Sequence, residues 1–483
     1  MPSRAPIPKF QISNLSNFKS QISHLQFEIF NFQFSIFNSR PPPHMRPSDA
    51  ISSNENAAPR FIRAVGLFGL IAIAVNGVIG SGIFVLPATV AALLGPASPV
   101  AYIVAAALTA LMVACFAEAG GLFEQTGGPY LYAREAFGSF VGLEVGWMFL
   151  LSRLAAASAI ANAFTAYLGY FWPPMSNGVG RAIALTILLG GLAWLNVVGV
   201  RYGAWAVNLL TIAKSVPLLL FVAVGIFFVD SGRFQIMTLP DTTALRQASL
   251  ALIFAFGGFE NASVPAEEAK NPAQNLPRAL IVSVALTAVL YILIQIVALG
   301  TLPELATDAT PLASAGRVFL GPAGALIITI GAVLSTTGSD SAVVLVGPRV
   351  LYALAERGQM PKALARIHPR YRTPHIAVIV FAAAAWALAL YGSFAELVMV
   401  SAIARLIFCA TTCIAVPVLR RKMPNATRTF KVPGGPIVPG LAAVTSLWLL
   451  TGVTRNQAIA GCVALACGAI LYAIFRRINR TTT

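Results

Sequence analysis

Long apolar stretches separated by short polar breaks make up the chain from Gly66 to its end. Each stretch has about 18 to 30 residues, which is enough for an α-helix to cross a hydrocarbon layer roughly 30 Å thick. The pattern therefore predicts an all-α membrane protein with about twelve transmembrane helices. The stretches lie near residues 66 to 94, 98 to 123, 139 to 171, 181 to 200, 203 to 229, 247 to 267, 278 to 301, 319 to 347, 374 to 391, 394 to 419, 437 to 454 and 458 to 475.

Residues 1 to 60 have a different composition from the rest of the chain. They are rich in Phe, Asn, Ser and Gln, and they contain no apolar stretch long enough to cross a bilayer. A secretory signal peptide is not indicated, because no compact apolar region is followed by a small-residue cleavage site. Two explanations stay open: a disordered N-terminal tail, or a mis-assigned start with Met45 as the true initiator.

Composition and charge are typical of a chain whose solvent is lipid. Hydrophobic residues make up 57% of the sequence, charged residues only 10%, and the mean hydropathy is +0.77. The net charge of +16 would suggest a polyanionic partner in a soluble protein, but here the Lys and Arg residues concentrate in alternate loops. The loops expected outside hold only Arg181, Arg233, Arg246, Arg317 and Arg455. We therefore expect a protein of the cytoplasmic membrane with both termini in the cytoplasm and no nucleic-acid partner.

Glycines interrupt the first and the sixth apolar stretch near their middles. The first contains the sequence NGVIGSGIF at residues 76 to 84, and the sixth contains FAFGGFEN at residues 254 to 261. Paired interruptions of this kind are the best sequence indication of a transporter's binding site. Because the two stretches lie five helices apart, an odd number, a five-helix unit repeated between them must enter the membrane from opposite sides. The two repeats are therefore expected to be inverted.

Unwinding a helix inside a membrane exposes backbone groups that need partners, and a zwitterion can supply them. The half-helix that begins after Gly82 directs free N–H groups at a carboxylate. Carbonyls near the second interruption can accept hydrogen bonds from an ammonium. The alternative is that the glycines serve close helix packing. The matching positions of the two interruptions, with Pro87 and Pro265 a turn or two further on, favour a binding site.

Four segments in order and spacing resemble the amino acid-polyamine-organocation (APC) transporter superfamily. They are GSGIFVLP at 80 to 87, FAEAGGLFEQTGGPYLYAREAFG at 116 to 138, FGGFENASVPAEEAKNPAQNLPRA at 256 to 279 and GPRVLYALAERGQMPKALARIHPRYRTPHIA at 347 to 377. The resemblance implies two inverted five-helix repeats, residues 61 to 235 and 236 to 425, followed by two C-terminal helices in residues 426 to 483. It also implies uptake or exchange of amino acids or related amines by alternating access.

The resemblance also implies a set of substrate-binding residues, which are Ile79, Gly80, Ser81, Gly82, Ile83, Phe254, Ala255, Phe256, Gly257 and Gly258. Those of the first interruption would hold the substrate carboxylate, and the carbonyls of the second would hold its amine. Phe254 or Phe256 would act as an aromatic lid. Glu118, Glu267 and Glu268 would lie on the cytoplasmic side of the pathway and pair with loop arginines.

Two ionisable residues inside the membrane are candidates for coupling. Lys214 lies near the midplane of the fifth stretch, where a lysine costs on the order of 3 kcal/mol and therefore needs a partner or a task. Some proton-coupled relatives look similar here, with a lysine ammonium where sodium-dependent relatives bind an ion. That similarity would place Lys214 beside the first interruption and the hydroxyls of Ser335, Thr336 and Thr337. It predicts proton-coupled or ion-independent transport, with a structural salt bridge as the alternative.

Glu260, just past the second interruption, either exchanges a proton during transport or forms a fixed pair with a lysine or arginine. Arg153, Asp340, Arg405 and Glu144 also fall within apolar stretches, and the sequence does not indicate how they pair. Arg153 and Arg405 are candidates for two roles: they favour substrates of one charge, or they form an ion pair that serves packing or gating. The small apolar surroundings of the interruptions favour neutral or broadly accepted amino acids.

Other classes of protein fit the sequence less well. The four histidines, at 24, 44, 368 and 375, lie in the N-terminal tail and one loop expected in the cytoplasm, and no hydrolase, dinucleotide-binding or ATP-binding signature is present. We therefore expect no enzyme activity, no metal, no cofactor and no ATP-driven pumping. The five cysteines fall in apolar stretches without metal-type spacing and are expected to be buried. An amino-acid sensor that binds without transport remains an alternative.

Overall fold

The computed structural model describes residues 66–123, 128–198, 203–235, 240–263 and 269–481. The N-terminal tail with Met45, and Pro265, Glu267 and Glu268, lie outside the described residues. The helices are α1 (Leu67–Val78), α2 (Gly82–Leu94), α3 (Ser98–Leu122), α4 (Gly128–Phe137), α5 (Ser139–Leu168), α6 (Gly178–Val198), α7 (Gly203–Gly225), α8 (Thr242–Ala255), α9 (Pro272–Thr301), α10 (Pro311–Glu356), α11 (His375–Tyr391), α12 (Phe394–Lys422), α13 (Ile437–Leu450) and α14 (Arg455–Thr481).

Length and apolar character qualify many of these helices to cross a membrane. Within the described ranges seven helical segments are long and apolar enough: Gly82–Leu122, Ser139–Leu168, Gly178–Val198, Pro272–Thr301, Pro311–Glu356, Phe394–Lys422 and Arg455–Ile478. Shorter apolar helices include α1, α11 and α13. Large apolar side chains such as Ile187, Trp194 and Phe227 face outward, exposed by 70, 64 and 85%. An apolar outer surface of this kind needs lipid around it, so the chain is an integral membrane protein.

Local signals set several helix ends. Ser393 and Glu396 form a capping box at the start of α12, and the Asp241 carboxylate accepts a hydrogen bond from the Ala244 N–H at the start of α8. In α10 the chain kinks at Gly321, whose φ of +64° suits a glycine. The same helix continues to Glu356, beyond the predicted end at 347. Polar residues stop an apolar pattern, but they do not stop a helix once it reaches water.

The expectation that all five cysteines are buried is wrong for two of them. Cys115, Cys409 and Cys413 are buried, whereas Cys462 and Cys467 are exposed. Both exposed residues lie on α14, which packs at the edge of the bundle against α5 and α12. A peripheral helix turns most of its surface toward lipid, and apolar sequence alone does not distinguish that surface from a protein core.

The centre of the bundle is built from the interrupted helices. α1 packs against α9, α2 packs against α8, and α8 also contacts α12. Around them, α5 contacts both α10 and α12. The glycine-rich segments therefore lie where α5, α10 and α12 approach the two interrupted helices.

Candidate functional site

Both glycine-rich segments interrupt their helices. α1 ends at Val78, Ile79 follows with an extended ψ of 91°, and α2 begins at Gly82. α8 ends at Ala255, and the chain resumes as a 3₁₀ segment, Phe259–Ser263. Between them Gly258 has a φ of +112°, a conformation that side chains with a Cβ rarely adopt. Two sets of backbone groups thus lose their helical partners in the middle of the bundle.

Close packing accounts for some of the glycines. A Cβ on Gly77 would lie 2.6 Å from the Gly258 carbonyl oxygen, and one on Gly82 would lie 2.8 Å from the Ala255 Cα. These glycines let one interrupted helix lie directly on the other. Gly80 differs, because the nearest atom to a Cβ there would be the Ser339 hydroxyl at 3.5 Å. Packing and cavity lining, posed as alternatives for this motif, therefore occur together: Gly77 and Gly82 do both, whereas Gly80 lines the cavity without a tight contact.

Side chains from three other helices satisfy the carbonyls released by the first interruption. The Lys214 ammonium donates to the carbonyls of Asn76 and Ile79 at 2.8 and 2.7 Å. The Tyr291 hydroxyl donates to the Val78 carbonyl at 2.9 Å, and the Ser339 hydroxyl donates to that of Ile79 at 3.1 Å. The carbonyl end of the break is therefore held by protein groups. By helix geometry the N–H groups at the start of α2 lack intrahelical partners.

The position of Lys214 beside the first interruption differs in one detail from the expectation. The lysine is fully buried, and its ammonium donates hydrogen bonds to two backbone carbonyls. Thr336 and Thr337 instead donate to carbonyls of their own helix, those of Ala332 and Val333. Helix α10 reaches the interruption through Ser339, one turn further along, because its register points that hydroxyl at the break.

A cavity of about 30 Å³ lies between the two interruptions. Six of the expected binding residues line it: Gly80, Ser81, Gly82, Phe254, Gly257 and Gly258. Arg153, Ala156, Ile160, Asn261, Ser339, Ala342, Val343 and Arg405 complete most of the wall. A cavity of this volume admits on the order of two water molecules. This cavity is therefore too small to hold an amino acid.

Four expected binding residues do not line this cavity. Ile79 and Ile83 are buried in the packed core, and Ala255 lies against Gly82. Phe256 stacks at an angle on Tyr291, with ring centroids 5.3 Å apart, whereas Phe254 lines the cavity. Of the two candidate aromatic lids, Phe254 is the one in position.

A buried cluster of charges borders the same cavity. One Glu260 oxygen lies 2.6 Å from the Arg153 guanidinium and 3.3 Å from that of Arg405. The other Glu260 oxygen accepts a hydrogen bond from the Gly258 N–H at 2.9 Å. Of the two roles left open for Glu260, these are the contacts of a fixed pair with arginine. The carboxylate also ties the cluster to the second interruption.

Four residues of the cavity wall were not among the expected binding residues: Arg153, Arg405, Asn261 and Ser339. Arg153 and Arg405 were noticeable as charges inside apolar stretches, but nothing local indicated their common partner. Arg405 lies directly on Gly257, where a Cβ would overlap its guanidinium. The Asn261 side-chain oxygen accepts a hydrogen bond from Arg153 at 3.4 Å.

A larger cavity, about 190 Å³, lies further along the same helices. Leu86 on α2, Ala251 on α8 and Val398 on α12 contribute to its wall. Phe254, on the central cavity, packs edge-on against Phe394 with ring centroids 6.2 Å apart. This aromatic pair lies between residues that line the larger cavity and residues that line the central one.

An ion-paired cluster ties α3 to the end of α12. The buried Glu118 carboxylate lies 2.6 Å from the Arg420 guanidinium and 3.7 Å from that of Arg428, and it accepts the Val432 N–H at 2.7 Å. The prediction that Glu118 pairs with loop arginines is confirmed. Next to Glu118 on α3, Phe116 packs edge-on against Phe259 of the second interruption, at 5.3 Å.

An apolar all-helical bundle whose two interrupted helices meet at a cavity bordered by buried charges is the architecture of a membrane transporter. A family profile described as amino acid permease matches residues 65–469. The chain therefore belongs to the amino acid permease family of the APC superfamily.

Curated relatives agree with this family. The branched-chain amino acid permease BcaP of Bacillus subtilis (strain 168) is 29% identical over 446 residues, 86% of this chain and 93% of the relative. The methylthioribose transporter of the same organism is 28% identical, covering 89 and 97%. Its serine/threonine exchanger SteT is 30% identical, covering 80 and 90%. These relatives are transporters rather than enzymes, and they support an amino acid transporter.

Proposed function

We propose that the protein is a secondary active transporter that carries amino acids across the cytoplasmic membrane by alternating access. The observation that carries this proposal is the cavity between two interrupted helices, lined by the unwound segment of each. Peptide N–H and C=O groups that are unpaired inside a membrane need partners. A zwitterion offers a carboxylate to the N–H groups and an ammonium to the carbonyls. Amino acid permeases among the relatives support the same class of substrate.

In this proposal the substrate carboxylate binds the N–H groups from Gly80 to Ile83, at the start of α2. The ammonium binds carbonyls near Phe254, Ala255 and Gly257, and Phe254 closes over the substrate. The cavity of about 30 Å³ is too small for an amino acid, so α2 and α8 must separate from α5, α10 or α12 to admit one. The Phe254–Phe394 pair would open toward the larger cavity, and the Glu118 cluster would hold the other side shut.

The topology that we propose has twelve spans with both termini in the cytoplasm. α1 and α2 together form one span, α8 and the 3₁₀ segment after it another, and α4 none. The spans then fall into two inverted repeats, residues 61 to 235 and 236 to 425, with α13 and α14 in residues 426 to 483. The short α4 in the first repeat and the part of α10 before the Gly321 kink in the second occupy equivalent places, which supports the repeat.

Lys214 is the residue that we propose for coupling, with Glu260 in a supporting role. The Lys214 ammonium occupies carbonyls of the first interruption, as a bound cation would. Loss or gain of its proton would change the number of hydrogen bonds that it gives to the break. Transport is therefore proposed to be proton-coupled or ion-independent. Glu260 is held by two arginines and would act by keeping the second interruption in place.

Obligate exchange is the second candidate, because a 30% identical relative is a serine/threonine exchanger. An amino-acid sensor on the same fold is a third. Purified protein in liposomes separates the three. Counterflow of radiolabelled amino acids requires turnover, so a sensor gives none. Net uptake into liposomes without internal amino acid marks a uniporter or symporter, whereas an exchanger takes up label only when the lumen is loaded.

The same liposome preparation identifies the coupling ion. We expect uptake in sodium-free buffer, stimulated by an inward proton gradient or unaffected by it. Strict dependence on sodium would overturn the coupling proposal. Empty liposomes and a Gly82→Ala variant, whose methyl group would press on the Ala255 backbone, serve as controls. Absence of counterflow for every amino acid would overturn the proposed transport.

A further inference from the structure

Two buried arginines share one carboxylate at the wall of the central cavity. Arg153 and Arg405 are exposed by only 1 and 3%, and both contact the same Glu260 oxygen. The cluster therefore carries one positive charge more than it can neutralise. Uncompensated charge is costly in a buried site, and an anion that completes the pairing removes that cost. The following inference rests on the proposed amino-acid transport.

Arg405 borders the cavity beside the second interruption. Its Nε and Nη1 groups are buried and have no hydrogen-bond partner, although Nη1 lies 3.3 Å from Glu260. Arg405 is a lining residue of the cavity, and its guanidinium rests on Gly257. A guanidinium binds a carboxylate through charge-assisted hydrogen bonds, so Arg405 at the cavity wall suits an anionic group of that kind.

No described acidic group other than Glu260 is placed to neutralise this excess. Glu260 is the acidic residue in contact with the two arginines. Asp340 is fully buried on α10, but it forms no ion pair among the described residues and does not line the cavity. Glu144 faces Gly468 of α14, at the edge of the bundle. The cavity thus lacks a matching anion of its own.

The position of Arg405 separates it from the groups expected to hold the substrate backbone. The N–H groups of Gly80 to Ile83 are proposed for the α-carboxylate, and the carbonyls near Gly257 for the ammonium. Arg405 lies on the side of Gly257 that faces Glu260 and α5. Arg405 therefore stands outside both sets of backbone groups and can bind a second carboxylate.

We propose that the substrates are amino acids with a carboxylate in the side chain, of the aspartate and glutamate type, and that Arg405 binds this second carboxylate. Arg153 shares Glu260 with Arg405, so this one carboxylate neutralises only one of the two guanidinium groups. This assignment differs from the expectation of neutral substrates, which the small apolar neighbourhood of the glycines had favoured. Each acidic amino acid has an amide analogue of nearly the same shape, which isolates the charge as the variable.

The test compares glutamate with glutamine, and aspartate with asparagine, as competitors of counterflow and as ligands in thermal-shift titrations of the full-length protein. We expect the acids to bind at least about tenfold more tightly than their amides. Arg405→Gln should remove that preference while amides still bind, and Arg405→Lys should keep part of it. Arg317→Gln, an arginine exposed on α10 and bonded to the Tyr170 hydroxyl, is the matched control and should behave as wild type.

Three results would overturn the proposal. Amides binding as tightly as the acids, or an acid preference unchanged in Arg405→Gln, would sink the substrate assignment and leave amino-acid transport standing. Failure of all amino acids to bind or exchange would remove the proposed function and this inference together. The wild-type comparison needs no variant, so misfolding of Arg405→Gln would not obscure the result.

Discussion

Replacing Lys214 by methionine tests how the first helix interruption is held in shape. The Lys214 ammonium donates to the carbonyls of Asn76 and Ile79, and the Ile79 carbonyl also accepts from the Ser339 hydroxyl. Methionine fills similar space but donates no hydrogen bond. The Ile79 carbonyl then keeps one donor, whereas the Asn76 carbonyl loses the lysine. The break is left with a buried polar group that must find a new partner or shift.

The expected magnitude follows from that orphaned carbonyl. A buried acceptor without a partner costs about 1–3 kcal/mol. Because about 1.4 kcal/mol corresponds to a tenfold change in an equilibrium constant, substrate affinity should fall by about 5- to 150-fold. The stability of the fold should change less, because methionine also removes the desolvation penalty of a buried ammonium. Lys214→Met should therefore weaken substrate binding and change its pH dependence more than it destabilises the fold.

The assay is substrate binding and transport by purified variants in proteoliposomes, measured from about pH 5 to about pH 9, which brackets the range where a perturbed lysine can titrate. Ser339→Ala is the matched control, because it removes a neutral donor to the same break. We expect about a fivefold loss of affinity for Ser339→Ala, from about 1 kcal/mol, with the wild-type pH profile retained. Lys214→Met should flatten that profile. Wild-type affinity and wild-type pH dependence in Lys214→Met would refute the reasoning.

Further predictions concern packing and the Glu118 cluster. Gly82→Ala should lower the thermal stability of the detergent-solubilised protein, because its methyl would press on the Ala255 backbone. Overpacking of this kind lowers the free energy of unfolding by about 1–3 kcal/mol. Gly80→Ala should keep wild-type stability, since the nearest atom to its methyl would be the Ser339 hydroxyl at 3.5 Å. It should weaken substrate binding by narrowing the cavity, and an equal stability loss in both variants would contradict this. Glu118→Gln should cost about 3 kcal/mol and speed proteolysis after Arg420, and unchanged cleavage kinetics would argue against the cluster as a clamp.

The positions of the helix interruptions could be predicted from the chain alone. Glycines at 77, 80 and 82, and at 257 and 258, act locally, because a residue without a Cβ weakens the helix where it stands. The break after Val78 and the break after Ala255 both fall at these segments. What each glycine does was not predictable. Gly82 meets a backbone in the partner helix whereas Gly80 meets a hydroxyl, and that difference depends on how the two helices cross.

The pairing of buried charges could not be predicted for a related reason. Arg153, Glu260 and Arg405 stood out as charges in apolar stretches, yet each is more than a hundred positions from the next. Nothing in the local sequence favours one partner over another at such separation. Only the packing of α5 and α12 around the second interruption brings both guanidinium groups to one oxygen. The extra positive charge at the cavity becomes visible only then.

The amino-acid sequence by itself determined that this chain lies in lipid and that two of its helices break at glycines. These properties follow from hydrophobicity and backbone freedom, which act within one helix. Tertiary structure decided which carbonyls Lys214 holds, which aromatic ring faces the cavity, and which arginines share Glu260. Those depend on helix rotation and crossing, where a turn of a few tens of degrees exchanges one neighbour for another.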